Sequence, residues 1–188
     1  MQVETDTGRS VTTPAELAAH LVQLRAHRAE LREAVGAVEL ALEIPLARQG
    51  PWRERVRAAL TELQHDFARH VALTESAGGI YDRARHSAPR LCSAVDRLLA
   101  EHRDLTVSIA RQLTALEQAD ATDDSADPDP TVMTGPTVPT VASDTTATTD
   151  LSALREELTV LTGRLRRHRQ AGGDLVYEAY DVDLGGSG

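Results

Sequence analysis

Lysine is absent from this chain: all 20 of its basic residues are arginine, which we read as genome composition rather than chemistry. Against 29 acidic residues they leave a formal net charge of −9. That is the wrong sign for a nucleic-acid binder, whose affinity rests on neutralising phosphates, so no nucleic-acid partner is expected. Aromatic residues are scarce, with one Trp, three Tyr and one Phe, too few for the strands of a β-sandwich or barrel. A single cysteine, Cys92, excludes an intramolecular disulfide and fits a reducing compartment. No apolar run approaches the roughly 18 residues of a membrane helix, so no membrane partner is expected. The opening MQVETDTGRS lacks the charged and apolar regions of a signal peptide, and the expected location is cytoplasmic. Glycine-rich phosphate loops and paired cysteines of the zinc type are missing as well. What is plentiful is Leu, Ala, Arg and Glu, which favour helices. The length of 188 residues fits one domain with a tail or insert.

Punctuation along the chain divides it into four helical stretches. Residues 1–12 are polar and read as a disordered N-terminus. Thr13-Pro14-Ala15-Glu16 is a helix start, with a capping Thr, Pro at the first helical position and Glu closing a capping box. Pro45 and Gly50-Pro51 mark a first turn, and Ser87-Ala88-Pro89 a second. Between and after them the pattern predicts helices near 14–46, 52–86 (with Gly78-Gly79 as a weak point), 88–118 and 151–181. The segment 119–150 is rich in Asp, Thr and Pro and nearly devoid of large apolar residues; it reads as a disordered acidic insert. The expected fold is all-α: an antiparallel up-and-down four-helix bundle with helices 1–3 in residues 13–118, the insert between helices 3 and 4, and helix 4 with the C-terminal tail in 151–188.

Each helix carries one apolar stripe, and each stripe contains a histidine. Leu17, Leu24, Leu31 and Val38 recur every seven residues, with His20 and His27 on the same inward face. The second helix runs Val56, Leu60, Leu63, Phe67, His70, Thr74; the third Leu91, Val95, Leu98, His102, Leu105, Ile109; the fourth Leu154, Leu158, Leu161, Leu165, His168, Leu175. Helical periodicity places these rings on buried faces. In an antiparallel hairpin, facing residues sum to a near-constant number, and on that rule His27, His70, His102 and His168 fall in one layer. One buried histidine is ordinarily a hydrogen-bonded core residue; four in one layer need shared partners, and a bound metal supplies one. Among carboxylates, Glu75 follows His70 by five residues, and Asp174 and Glu178 follow His168 by six and ten. Glu101 stands beside the stripe, where it would orient an imidazole from outside or simply face solvent.

The HVALTE run (His70 to Glu75), the Glu101-His102 pair in LLAEHRDL, and the segment RRHRQAGGDLVYEAYDVDLGG together resemble the hemerythrin-like, or HHE cation-binding, family over most of 14–118 and 151–186. The resemblance implies non-haem iron, two atoms, inside a four-helix bundle, and an oxygen chemistry: O2 binding, sensing or, in some members, oxidoreductase activity. Carried over by position, it implies His27, His70, Glu75, His102 and His168 as metal ligands. The chain departs from the family where a carboxylate is expected four or five residues after the last histidine. Gly172 and Gly173 stand there, leaving Asp174 and Glu178 as substitutes and a mononuclear site as an alternative. The functional expectation is thus a hemerythrin-like iron protein with O2 as partner. Its rivals are a di-iron oxidase or oxygenase acting on a small-molecule substrate, and a metal-free helical interaction module.

Overall fold

A computed structural model describes residues 14–124 and 142–180, with side chains over 22–121 and 151–179. The expected N-terminal tail (1–12), residues 125–141 of the expected insert, the tail beyond 180, and the side chains of Leu17 and His20 lie outside the described residues. The order is α1 (Pro14–Leu42), α2 (Gln49–Glu75), α3 (Ile80–Ser87), a 3₁₀ turn (Pro89–Leu91), α4 (Cys92–Asp124) and α5 (Ala142–Tyr180). Every described element is helical, as the composition required. The four long helices form a ring of neighbours: α1 packs on α2, α2 on α4, α4 on α5, and α5 back on α1. None of them is long and apolar enough to cross a membrane.

Two features differ from the sequence reading. The expected second helix, 52–86, is two helices: α2 stops at Glu75 and α3 restarts at Ile80. The cause is local. Gly78 adopts φ +70°, a conformation that side chains resist, and a Cβ on Gly79 would meet the Ser76 carbonyl at 2.7 Å and the Thr74 carbonyl at 3.0 Å. Asp82 then accepts the Gly78 N–H at 3.1 Å, and the Arg83 side chain donates to the Gly78 carbonyl at 2.6 Å, closing the turn. Secondly, α4 runs on to Asp124 and α5 begins at Ala142, so helix takes up both ends of the segment read as insert.

The core has two parts. The larger apolar cluster fills one end with Leu31, Val38, Trp52, Val56, Leu60, Leu63 and Phe67 from α1 and α2, and Leu105, Ile109, Leu116, Leu158 and Leu165 from α4 and α5. The smaller fills the other end with Leu24, Ile80, Tyr81, Ala84, Val95, Leu98, Leu175 and Ala179. Each buried aliphatic side chain contributes roughly 1.5–3 kcal/mol relative to exposure. At the far end of the larger cluster, buried Arg53 donates to Gln49 at 3.2 Å, and Arg57 pairs with Asp120, which ties the start of α2 to the end of α4. Between the two clusters lies a polar layer.

Candidate metal centre

The layer consists of the four histidines. His27 stands between Leu24 and Leu31 on α1, His70 one step beyond Phe67 on α2, His102 between Leu98 and Leu105 on α4, and His168 one step beyond Leu165 on α5. All four are buried, His102 to 1% exposure. Ring centroids are 5.1 Å apart for His70 and His102, 5.5 Å for His70 and His168, and 4.7 Å for His102 and His168. The Phe67 ring packs under all three at 5.8–6.0 Å. One nitrogen from each of these three rings lies within 4.8 Å of the others, the spacing of ligands to a single ion. His27 stacks on His70 at 6.0 Å and 20° but stands outside that group.

Carboxylates hold the rings from outside. His102 Nδ1–H donates to Glu75 Oε1 at 2.6 Å, and His168 Nδ1–H donates to Glu101 Oε2 at 2.8 Å. His27 Nδ1–H donates to Glu30 Oε2 at 2.9 Å, a bond that holds the Glu30 carboxyl below its usual range. With the proton fixed on Nδ1, each of these rings keeps its lone pair on Nε2. His102 Nε2 and His27 Nε2 are buried without a hydrogen-bond partner. His168 Nε2 faces His70 Nε2 at only 3.4 Å. Inward lone pairs braced by outward carboxylates form a donor set for a cation, and the unpartnered buried nitrogens are the observation that a metal would resolve.

Burial keeps His70, His102 and His168 neutral. Desolvation, then the fields of His102, His168, His27 and Arg28, pushes the His70 imidazole down to about 2. Desolvation also depresses His102 and His168, opposed by the hydrogen bonds to Glu75 and Glu101. Neutral imidazole is the form that ligates metal.

The structure brings together His70, His102 and His168, with His27 beside them. Glu75 reaches the layer as the outer partner of His102, its side chain 37% exposed. Asp174 and Glu178 do not reach it: both are exposed, Asp174 accepts from Gln170 at 2.8 Å, and Glu178 offers its backbone carbonyl to Arg90 at 2.9 Å. At Gly173, where the resemblance expects a carboxylate, a Cβ would collide with the Arg28 guanidinium, which crosses there to donate to the Arg169 carbonyl at 3.2 Å.

Two contributors escaped the sequence reading. Glu30 is three residues from His27, a spacing that puts both on one helix face and is readable in principle. Tyr81 stacks on His102 at 5.6 Å and 23°, and its place follows from the α2–α3 break, which periodicity alone does not reveal. Its hydroxyl is buried and has no partner. Desolvation, then Glu75 and Glu101, raises its pKa well above the ordinary phenol value, so it stays protonated.

Two openings adjoin the centre. A cavity of about 10 Å³, room for about one water, lies beside His70 and His168; its wall combines the apolar Leu24, Ile80 and Val176 with the polar Arg28, Thr74 and Arg169. A surface cleft of about 240 Å³ with a more polar lining runs past Glu101, Leu105, Arg164 and Arg167 to His168.

Comparison with models of known families, with curated proteins and with solved structures finds no match for this chain.

Proposed function

We propose that this chain is an antiparallel up-and-down four-helix bundle that holds one first-row transition-metal ion at His70, His102 and His168. Contacts at both ends of one helix pair support the antiparallel reading: Arg57 of α2 meets Asp120 of α4 at one end, and Glu75 meets His102 at the other. The observation that carries the metal reading is the convergence of three ring nitrogens within 4.8 Å, two of the rings braced from behind by glutamates. A single ion is the better reading, because Glu75 and Glu101 are engaged by outward-facing Nδ1–H groups and no carboxylate joins the three nitrogens in that group. The hemerythrin-like resemblance points to iron, which would supply O2 binding and one-electron chemistry when bound.

The chain's own residues do the rest. Glu75 and Glu101 fix ring orientation and tautomer, burial keeps His70, His102 and His168 neutral, and a cavity with room for about one water adjoins His70 and His168. An enclosed space that small favours O2 binding or sensing over turnover of a larger substrate. The cleft beside His168 favours a second reading, an oxidase or oxygenase, since Arg164 and Arg167 flank a space sized for a small anionic substrate.

The test is iron, zinc and copper per chain in purified protein, with an absorption spectrum before and after O2, for wild type and His102→Leu. One ion per chain in wild type and little in the variant is expected. Equal metal in both removes His102 from the site, and a metal-free wild type leaves the bundle as an interaction scaffold.

A further inference from the structure

Three of the four buried histidines bring ring nitrogens together, and His27 does not. Yet its Nδ1–H is held by Glu30, and its Nε2 is buried without a partner just as that of His102 is. A prepared donor left out of the group needs an explanation, and the next residue supplies one. Arg28 is half-buried and lines the small cavity beside His70 and His168. Its guanidinium crosses α5 at Gly173 to donate to the Arg169 carbonyl at 3.2 Å, and a Cβ on Gly173 would run into Nη2. That bond fixes the group without neutralising it, since among the described residues no carboxylate pairs with Arg28. Arginine keeps its proton, so a full positive charge stands beside His27. The charge acts on His70 and adds to the fields of Arg32 and Arg166 on Arg169, against a single opposing Glu39. Carboxylates, by contrast, stand directly behind His102 and His168. Glu30 behind His27 is itself answered by Arg69 at 3.3 Å.

We propose that Arg28 limits the layer to one metal ion: its guanidinium, anchored across Gly173, is a resident cation on the His27–His70 flank and repels a second ion from His27. The inference rests on the metal reading above and deepens it, since it names the residue that sets the stoichiometry. Like charges a few ångströms apart repel strongly where water is excluded, so the guanidinium acts most on an ion at His27 and less on one drawn toward the glutamates behind His102 and His168. Gly173 is part of the device, because any side chain there would displace the guanidinium from its anchor.

The experiment uses the full-length chain, stripped with a chelator and titrated with cobalt(II), read by absorption and by metal per chain after gel filtration. Wild type is compared with Arg28→Lys, which keeps the charge, and Arg28→Met, which keeps only the stem. A double variant, Arg28→Met with Gly173→Glu, puts a carboxylate where the guanidinium stood. Wild type and Arg28→Lys should each hold one ion with similar affinity. Arg28→Met should hold its ion about tenfold more tightly, because a nearby positive charge has been removed. The double variant should hold two ions, and adding His27→Leu to it should return it to one. If Arg28 serves only to tie α1 to the Arg169 carbonyl, the sign reverses and Arg28→Met binds cobalt more weakly. Equal or weaker binding by Arg28→Met therefore overturns the inference alone, as do one ion in the double variant or two in wild type. A second ion that survives His27→Leu also overturns it, by placing that ion elsewhere. A wild type that takes up no cobalt defeats the underlying metal reading instead.

Discussion

The four histidines differ in what stands behind them. His102 and His168 each give a proton to a glutamate on another helix, His27 to one on its own helix, and His70 keeps a buried Nδ1 without a partner. Outer partners of this kind govern ligand aim and basicity, and their loss weakens metal affinity about 10–100-fold. Glu75→Ala and Glu101→Ala should each show that loss in chelator competition, whereas Asp174→Asn and Glu178→Gln should bind as wild type does, since neither side chain reaches the layer. Titration of the metal-free protein gives a second check. The His70 pKa falls from 6.5 unfolded to about 2 folded, so the folded state binds fewer protons and its stability is fully present above pH 6.5. Stability should fall as pH drops below 6.5, by about 1.4 kcal/mol per unit for His70 alone, with His102 and His168 acting in the same direction. Urea unfolding at stepped pH measures it; a flat profile between pH 6.5 and 4.5 would show that the rings charge without opening the fold.

At the scale of elements, the glycines sort by job. Gly36 lies within α1 with open space where a Cβ would go, so Gly36→Ala should stabilise by about 0.5–1 kcal/mol through backbone entropy alone. Gly78→Ala should cost about 1 kcal/mol or more, because φ +70° is strained for any side chain; denaturant midpoints for the pair test the contrast. The same distinction explains what the sequence could tell. Stripes such as Leu24–His27–Leu31 and Leu98–His102–Leu105 announce both the helices and the layer, because a 3.6-residue period directly encodes which face is buried. Gly78-Gly79 marked a weak point, but the stop at Glu75 and the restart at Ile80 turn on a left-handed glycine and on carbonyls crowding Gly79, neither of which has a period, so the separate α3 and the place of Tyr81 were hidden. Helix caps are equally silent at Arg48, which makes no side-chain capping bond, and the onset of α2 at Gln49 differs from the expected 52. For the carboxylates, spacing along one helix was a poor guide because the bonds cross between helices: Glu75 of α2 serves His102 of α4, and Glu101 of α4 serves His168 of α5.

Over the whole molecule, a plane of polar rings separates two apolar clusters of unequal size. An ion would join them through contacts to three helices; chelation leaves the smaller cluster to hold its own end. Hydrogen exchange on chelator-treated protein should therefore quicken more in 80–98 and 175–179 than in 52–63 and 154–161, and an equal change at both ends would show that the layer does not divide cooperative units. The placement of the ligands also sets an order in time. His70, His102 and His168 sit on three separate helices, so no two of these three lie within a helical turn of each other in the unfolded chain. If the site holds an ion, folding would come first and capture second, the reverse of a zinc finger, whose metal drives its folding. An ion enclosed by these rings would leave only as fast as a helix peels back, so its residence would be governed by the lifetime of the closed bundle as much as by the strength of three bonds.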